Sequence, residues 1–584
     1  MRSGANSARL WMSYLGSRRS PYRLNKCHAL MRAMRMGIHE RARALLKRPL
    51  ISPELLVWSV AVYAALMLNP AFWRAVTASE ALNGFTGATS RVCIALVMVA
   101  LNVIVVRLLC TRWTIKPVLI SFTLITAVLS YFSLQYGVHF DVGMARNILA
   151  TDASESNQLL TRNLVMGVAW SASFPILVLL FVQVTWRPPL ASLLRALGTV
   201  AIALVVLVGA AIAGFKDISP LMHNNREMRH LIAPENLLVS FVRVAAKDGL
   251  GPYRGPRTVL APDAILTPGH STSQRPHALI IVIGETVRAQ NWGLNGYSRQ
   301  TTPRLVTEDV TNFRNVRACG SSTAVSLPCM FSAFGRSNYD EQKIERSESL
   351  LHILARAGAD VSWRDNQGGC KGVCDGLPFE SFRDQQDPAL CSSEGCMDQI
   401  LLKGLQERIA SSPGDVVIVL HQLGNHGPSY YQRYPQRLRK FTPDCRSPDI
   451  GECTVEEVVN AYDNAILATD EMVAAAIDLL KGVTTHDSAL IYLSDHGESL
   501  GERNLYLHGL PYAIAPDTQM KVPMLTWLSE GMARWRGLNR PCLERRAREP
   551  ASHDNLFHSV LGLMQVGSKV YDPRKDVFAG CTKS

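Results

Sequence analysis

The chain has 584 residues, too many for one ordinary domain, and 47% of them are hydrophobic, so their distribution says more than their total. The net charge of +13 suggests a nucleic-acid partner until it is located: residues 1–50 hold twelve Lys or Arg against one acid, Glu40, a balance of +11 that leaves +2 for everything else. That concentration excludes a basic binding face on the remaining chain, so no nucleic-acid partner is expected, and it directs attention to a membrane.

In chain order, residues 1–50 form a basic segment without the apolar core of a cleavable signal peptide. Met31, Met34 and Met36 are alternative starts, and Arg41, Arg43, Lys47 and Arg48 follow all of them. Residues 51–215 contain uncharged stretches at 55–73, 117–137, 163–186 and 196–215, each able to cross a hydrocarbon core of about 30 Å. A fifth, at 92–106, is shorter, but Leu108, Leu109 and Cys110 extend it and Arg107 can snorkel to the interface. Five transmembrane helices are predicted. Loops around Arg107, Arg112 and Lys116 and at Arg187 and Arg195 are basic, whereas those at 74–90 and 138–162 are not. The amino terminus is therefore expected in the cytoplasm and everything after Phe215 on the far side, which in a bacterial inner membrane is the periplasm.

Cysteine usage agrees with that orientation. Three of thirteen cysteines precede Phe215 and ten follow it, an even number that includes several close pairs, as an oxidising compartment favours. The pairs are Cys319 with Cys329, Cys370 with Cys374, Cys391 with Cys396, Cys445 with Cys453 and, by elimination, Cys542 with Cys581. Sequence alone does not fix this connectivity, and Cys370-x3-Cys374 also approaches a zinc-ligand spacing. Residues 216–275 read as a connector, with an amphipathic helix at 236–246 that either lies on the membrane surface or packs as an ordinary helix.

From residue 276 to 584, strand-like runs alternate with helical stretches, which predicts an α/β domain with a mostly parallel sheet. Strands are expected at 278–283, 415–420, 488–493 and near 522–527, and a helix at 456–481. The strand ends carry the chemistry. The first opens into Gly284-Glu285-Thr286 and a late one into Ser494-Asp495-His496-Gly497, so two strand ends offer three metal ligands where open α/β sheets bind ligands. A third ends in His421 and His426, with His421 read as structural. Between two half-cystines, Ser321, Ser322 and Thr323 crowd a bend; a hydroxyl there either caps a helix or, activated by a metal, attacks phosphorus.

Together these residues occur in the order and spacing of the alkaline-phosphatase-like superfamily. More closely, the chain resembles the phosphoethanolamine transferases of Gram-negative bacteria, lipid A-modifying enzymes linked to polymyxin resistance. The resemblance rests on Gly284-Glu285-Thr286-x-Arg288, Asn295-Gly296-Tyr297-Ser298-Arg299, Ser322-Thr323-Ala324, Gly424-Asn425-His426-Gly427-Pro428 and Ser494-Asp495-His496-Gly497-Glu498-Ser499. It implies a nucleophile at Thr323, with Ser321 and Ser322 as rivals, and a zinc ion held by Glu285, Thr323, Asp495 and His496. A second metal near His426 and His508 is left open. It further implies substrate contacts from Asn366, Lys371, His426 and His508; Gln367 stands where relatives carry a second asparagine. The implied reaction moves phosphoethanolamine from phosphatidylethanolamine to lipid A in the inner membrane, through a threonine intermediate, in a monomeric enzyme. Kdo, heptose or periplasmic glucan are alternative acceptors; a membrane-tethered phosphodiesterase or sulfatase-like hydrolase, or a non-catalytic receptor, are alternative uses of the fold.

Overall fold

The computed structural model describes residues 48–78, 84–151, 153–225, 227–247, 253, 255–392 and 395–582; the basic segment up to residue 47, with its alternative starts, lies outside them. Helix α1 (Pro53–Met67) starts where the Ser52 hydroxyl accepts from the Leu55 N–H and a proline occupies the first turn. It is followed at a 53° bend by α2 (Pro70–Ala78), so the span predicted at 55–73 is a bent pair rather than one helix. Pro70 lacks the N–H that would continue the ladder. Buried Asn69 fills the gap: its amide donates to the Ala64 and Ala233 carbonyls at 3.0 and 2.9 Å and accepts from the Ala233 N–H at 2.8 Å.

Among the described residues, four continuous helices are long and apolar enough to cross a membrane, or five such segments if the bent pair counts as one. They are α3 (Gly84–Leu109), α4 (Ile115–Tyr136), α7 (Arg162–Phe181) and α8 (Pro189–Asn224). Between α4 and α7 lie two short helices, α5 (Val142–Ala150) and α6 (Ala153–Leu159). The outer faces of α7 and α8 expose Trp170, Phe174, Val205 and Ile212, as a hydrocarbon surround permits. Helix α9 (Glu235–Lys247) covers the helical stretch expected at 236–246.

The rest of the chain builds an eight-stranded sheet. Its strands are β1 (His277–Gly284), β2 (Thr311–Arg317), β3 (Asp360–Asp365), β4 (Phe379–Ser381), β5 (Val416–His421), β6 (Asp487–Ser494), β7 (Lys521–Leu528) and β8 (Ala551–Ser552), in the spatial order β8-β2-β7-β6-β1-β5-β3-β4. Only β7 runs against the others. In β1, Leu279, Ile281 and Ile283 enter one core while Ala278, Ile280 and Val282 enter the other, which explains the unbroken apolar run. The register is level: Gly284 pairs with Ser494 and Ile283 with His421, so the loops leaving β1, β5 and β6 emerge side by side. All five expected cysteine pairs are disulfides, Cys370–Cys374 included, which removes that pair from consideration as a zinc site.

Candidate active site

Helix α10 (Thr323–Met330) begins at the mouth of these loops. Ser322 holds the cap position without a side-chain capping bond, and the Thr323 hydroxyl, in the first turn, turns toward the strand ends. Thr323 Oγ1 lies 3.2 and 3.0 Å from the two Glu285 carboxylate oxygens and 3.3 Å from His496 Nε2. Glu285, Asp495 and His496 converge, each offering a ligand atom, and all three are fully buried. The rival hydroxyls are arranged differently: Ser321 donates to the Leu510 carbonyl at 2.5 Å, whereas Ser322 lines the adjoining pocket.

The electrostatics of this cluster call for a cation. His496 Nδ1 lies 2.9 Å from the Gly497 carbonyl, so the ring proton sits there and the Nε2 lone pair faces Glu285 Oε1 at 3.4 Å and Asp495 Oδ2 at 3.3 Å. Asp495 Oδ2 is buried without a hydrogen-bond partner, while Oδ1 accepts from the Thr286 and His496 N–H groups. Burial and the Asp495 charge push the Glu285 carboxyl up to about 8. Burial acts upward on Asp495 too, but the hydrogen bond from the Thr286 N–H and the charge of nearby His421 help hold the group below its ordinary value. Two carboxylates, one imidazole nitrogen and a hydroxyl are a donor set suited to zinc.

A cavity of about 880 Å³ adjoins the cluster and is lined by Ser322, Thr323, Asn366, Gln367, Lys371, His426 and His508. The His508 ring stands 4.4 Å from that of His496 and 5.9 Å from that of His426, and Glu498 Oε2 faces its Nδ1 at 3.3 Å. Lys371 sits at φ +47 inside the Cys370–Cys374 loop. Asn366 spends its amide hydrogens on the Cys396 carbonyl and Asp398, which leaves Oδ1, an acceptor, without a partner. Gln367 does donate, but to Glu285 Oε2 at 3.2 Å. His421 is buried against Asp365, 2.7 Å away.

Several residues of the site were not legible in the sequence. Asp398 gathers Asn366 and the Leu423 and Gly424 N–H groups, fixing the loop that leads to His426. His553 accepts from the Cys319 N–H and donates to the Ser494 carbonyl, tying the nucleophile bend to the end of β6. Asn147, Thr151, Asn157 and Gln158, from the α5–α6 segment, form the far wall of the cavity. The signal for that wall was only a polar loop between two apolar stretches.

A mostly parallel sheet with carboxylates and an imidazole at its strand ends, facing a hydroxyl at a helix start, defines a sulfatase-like domain of alkaline-phosphatase type, here joined to apolar helices. The Sulfatase family model matches residues 277–566, and a model described as phosphoethanolamine transferase EptA/EptB matches residues 97–248. The phosphoethanolamine transferase EptA of Escherichia coli K12 is 38% identical over 549 residues, 93% of this chain and 99% of that one. The phosphatidylethanolamine transferase Mcr-1 of Escherichia coli is 35% identical, over 82% of this chain and 90% of its own length. The structure of the integral membrane lipooligosaccharide phosphoethanolamine transferase A from Neisseria meningitidis superposes with a TM-score of 0.86 at 36% identity, covering 92% of this chain and 100% of the other. The chain belongs to the EptA family of phosphoethanolamine transferases.

Proposed function

We propose that the chain is a zinc-dependent enzyme of the bacterial inner membrane that transfers phosphoethanolamine from phosphatidylethanolamine to a phosphate of lipid A. The observation that carries this reading is the Thr323 hydroxyl, at the start of α10 and 3.0 Å from Glu285 among three buried metal-ligand side chains. Glu285, Thr323, Asp495 and His496 would hold the zinc ion, which when bound supplies Lewis-acid stabilisation of a phosphoryl oxygen and lowers the hydroxyl pKa.

In the first half-reaction Thr323 Oγ1 bonds to the donor phosphorus as the bond to the diacylglycerol oxygen breaks. The pair His426 and His508 takes up the hydroxyl proton and delivers it to the departing oxygen. Lys371 balances phosphate charge, and the free Asn366 Oδ1 suits the ethanolamine ammonium. In the second half-reaction an oxygen of a singly protonated lipid A phosphate bonds to the phosphorus as the bond to Thr323 Oγ1 breaks, and the proton given up by that phosphate passes through the same histidines to Oγ1. The apolar helices keep the site beside both lipids, with the domain from 276 to 584 in the periplasm, residues 216–275 as connector and residues 1–50 in the cytoplasm. Added ammonium groups weaken Coulomb attraction between the lipid surface and cationic peptides such as polymyxins. Incubation of the purified zinc-loaded protein with phosphatidylethanolamine alone tests the intermediate: the peptide containing Thr323 should gain one phosphoethanolamine group. An unmodified Thr323, with the group on Ser321 or Ser322, would overturn the assignment.

A further inference from the structure

Arg433 is 6% exposed, and its guanidinium joins two parts of the molecule that are far apart in sequence. Its Nε–H donates to the backbone carbonyl of His426 at 2.9 Å, and Nη2 donates to Gln158 Oε1 at 3.1 Å. Gln158 stands on α6, between the apolar helices α4 and α7, and lines the cavity together with His426 and Arg433. The chain just before His426 is anchored as well: the Asn425 N–H donates to the Glu285 carbonyl at 3.0 Å, across a turn that Gly424 makes at φ +52. The loop bearing His426 is thus fixed before the imidazole to the metal-ligand residue Glu285 and after it, through Arg433, to the membrane-helix segment. Only a planar fork serves two acceptors at such fixed angles; an ammonium is a single point charge on a flexible stem.

The geometry points to Arg433 as a positioning residue that sets His426 in the cavity and, through Gln158, makes that placement depend on α6 being docked against the sheet domain. This rests on the reading that His426 acts in phosphoryl transfer. A segment of the membrane unit then completes the site in two ways, as a wall of the cavity and as a brace for the loop bearing the imidazole.

The test is a set of double-mutant cycles on the full-length zinc-loaded protein in vesicles of phosphatidylethanolamine, following headgroup transfer to lipid A. Arg433→Gln should lower kcat about tenfold or more with KM little changed, because a displaced general acid–base group weakens the transition state rather than substrate binding. Arg433→Lys should not restore the rate. Gln158→Leu should cost several-fold alone, nothing further in the Arg433→Gln background, and nothing further in the His426→Ala background. Multiplicative losses, or an effect on KM alone, would overturn the coupling. Thermal midpoints of the purified variants monitor folding, and if Arg433→Gln is unstable the Gln158→Leu and His426→Ala cycle decides by itself. An impaired His426→Ala with multiplicative losses sinks only this inference, whereas a fully active His426→Ala sinks the role of His426 and the coupling with it.

Discussion

An imidazole lone pair that faces two carboxylates at 3.3 and 3.4 Å, with its own proton turned to a carbonyl, is a repulsive arrangement unless a metal cation, or a proton held on Glu285, lies among them. Metal-free protein should report this as pH-dependent stability. The Glu285 value of about 8 lies above its ordinary 4.5, so the unfolded chain ionises first and the fold loses stability as pH rises between those values. His553 acts in the opposite direction: burial lowers it to about 4, and its neutral form contributes stability that is fully present above 6.5 and lost as pH falls toward 4. The two separate above pH 7, where His553 no longer titrates and the buried Asp470 and Glu235 carboxyls, pushed up to about 7, are mostly ionised while Glu285 is still titrating. Thermal melts of chelator-treated protein should show a midpoint still falling from pH 7 to 8, a larger gain on zinc addition at pH 8, and a much flatter profile over that range in Glu285→Gln; a flat profile in the parent would contradict a cation among these ligands. Zinc-loaded protein should keep the acid-side loss, and His553→Gln should shrink it.

At the scale of elements, the sequence is most legible where one residue type fills a whole run. The apolar strands at 278–283 and 488–493 are buried on both faces, so composition alone located them and, through the residues that follow, located Glu285, Asp495 and His496. Strand β2 is not legible in the sequence because its pattern is mixed, with Asn312 before its buried Phe313 and the exposed Arg314 and Asn315 between Phe313 and the buried Val316. The bend between α1 and α2 was hidden for a different reason: Asn69-Pro70 is uncharged, and charge was the criterion for a span. Three hydrogen bonds of Asn69 make that bend, two of them to Ala233. Asn69→Leu leaves the Ala233 peptide unpaired in a buried site and should cost on the order of 2 kcal/mol, seen as a lower melting midpoint in detergent. An unchanged midpoint would mean that the bend is set by Pro70 alone.

At the scale of the whole molecule, long-range side-chain contacts decide how the sheet domain meets the apolar helices, and no local pattern encodes them. The loop closed by Cys445–Cys453 presents Asp449, 2% exposed, whose Oδ2 accepts from Tyr131 at the end of α4 and Thr161 at the start of α7, at 3.2 and 3.1 Å. Asn163 donates to Glu452 beside it, and Arg146 pairs with Glu341 farther along the interface. Asp449→Ala should therefore raise hydrogen exchange in the 445–453 loop and the first turn of α7 while leaving β1 and β6 protected; uniform protection would place the interface elsewhere. These contacts hold the cavity between the two parts, where lipid and threonine would meet. The most direct measurement is mass spectrometry of lipid A from a polymyxin-sensitive Gram-negative host producing either the parent protein or Thr323→Ala. Lipid A should carry a phosphoethanolamine increment with the parent and none with Thr323→Ala; an increment that survives the substitution, or lipid A left unmodified by folded, zinc-loaded parent protein, would contradict a transferase that works through Thr323.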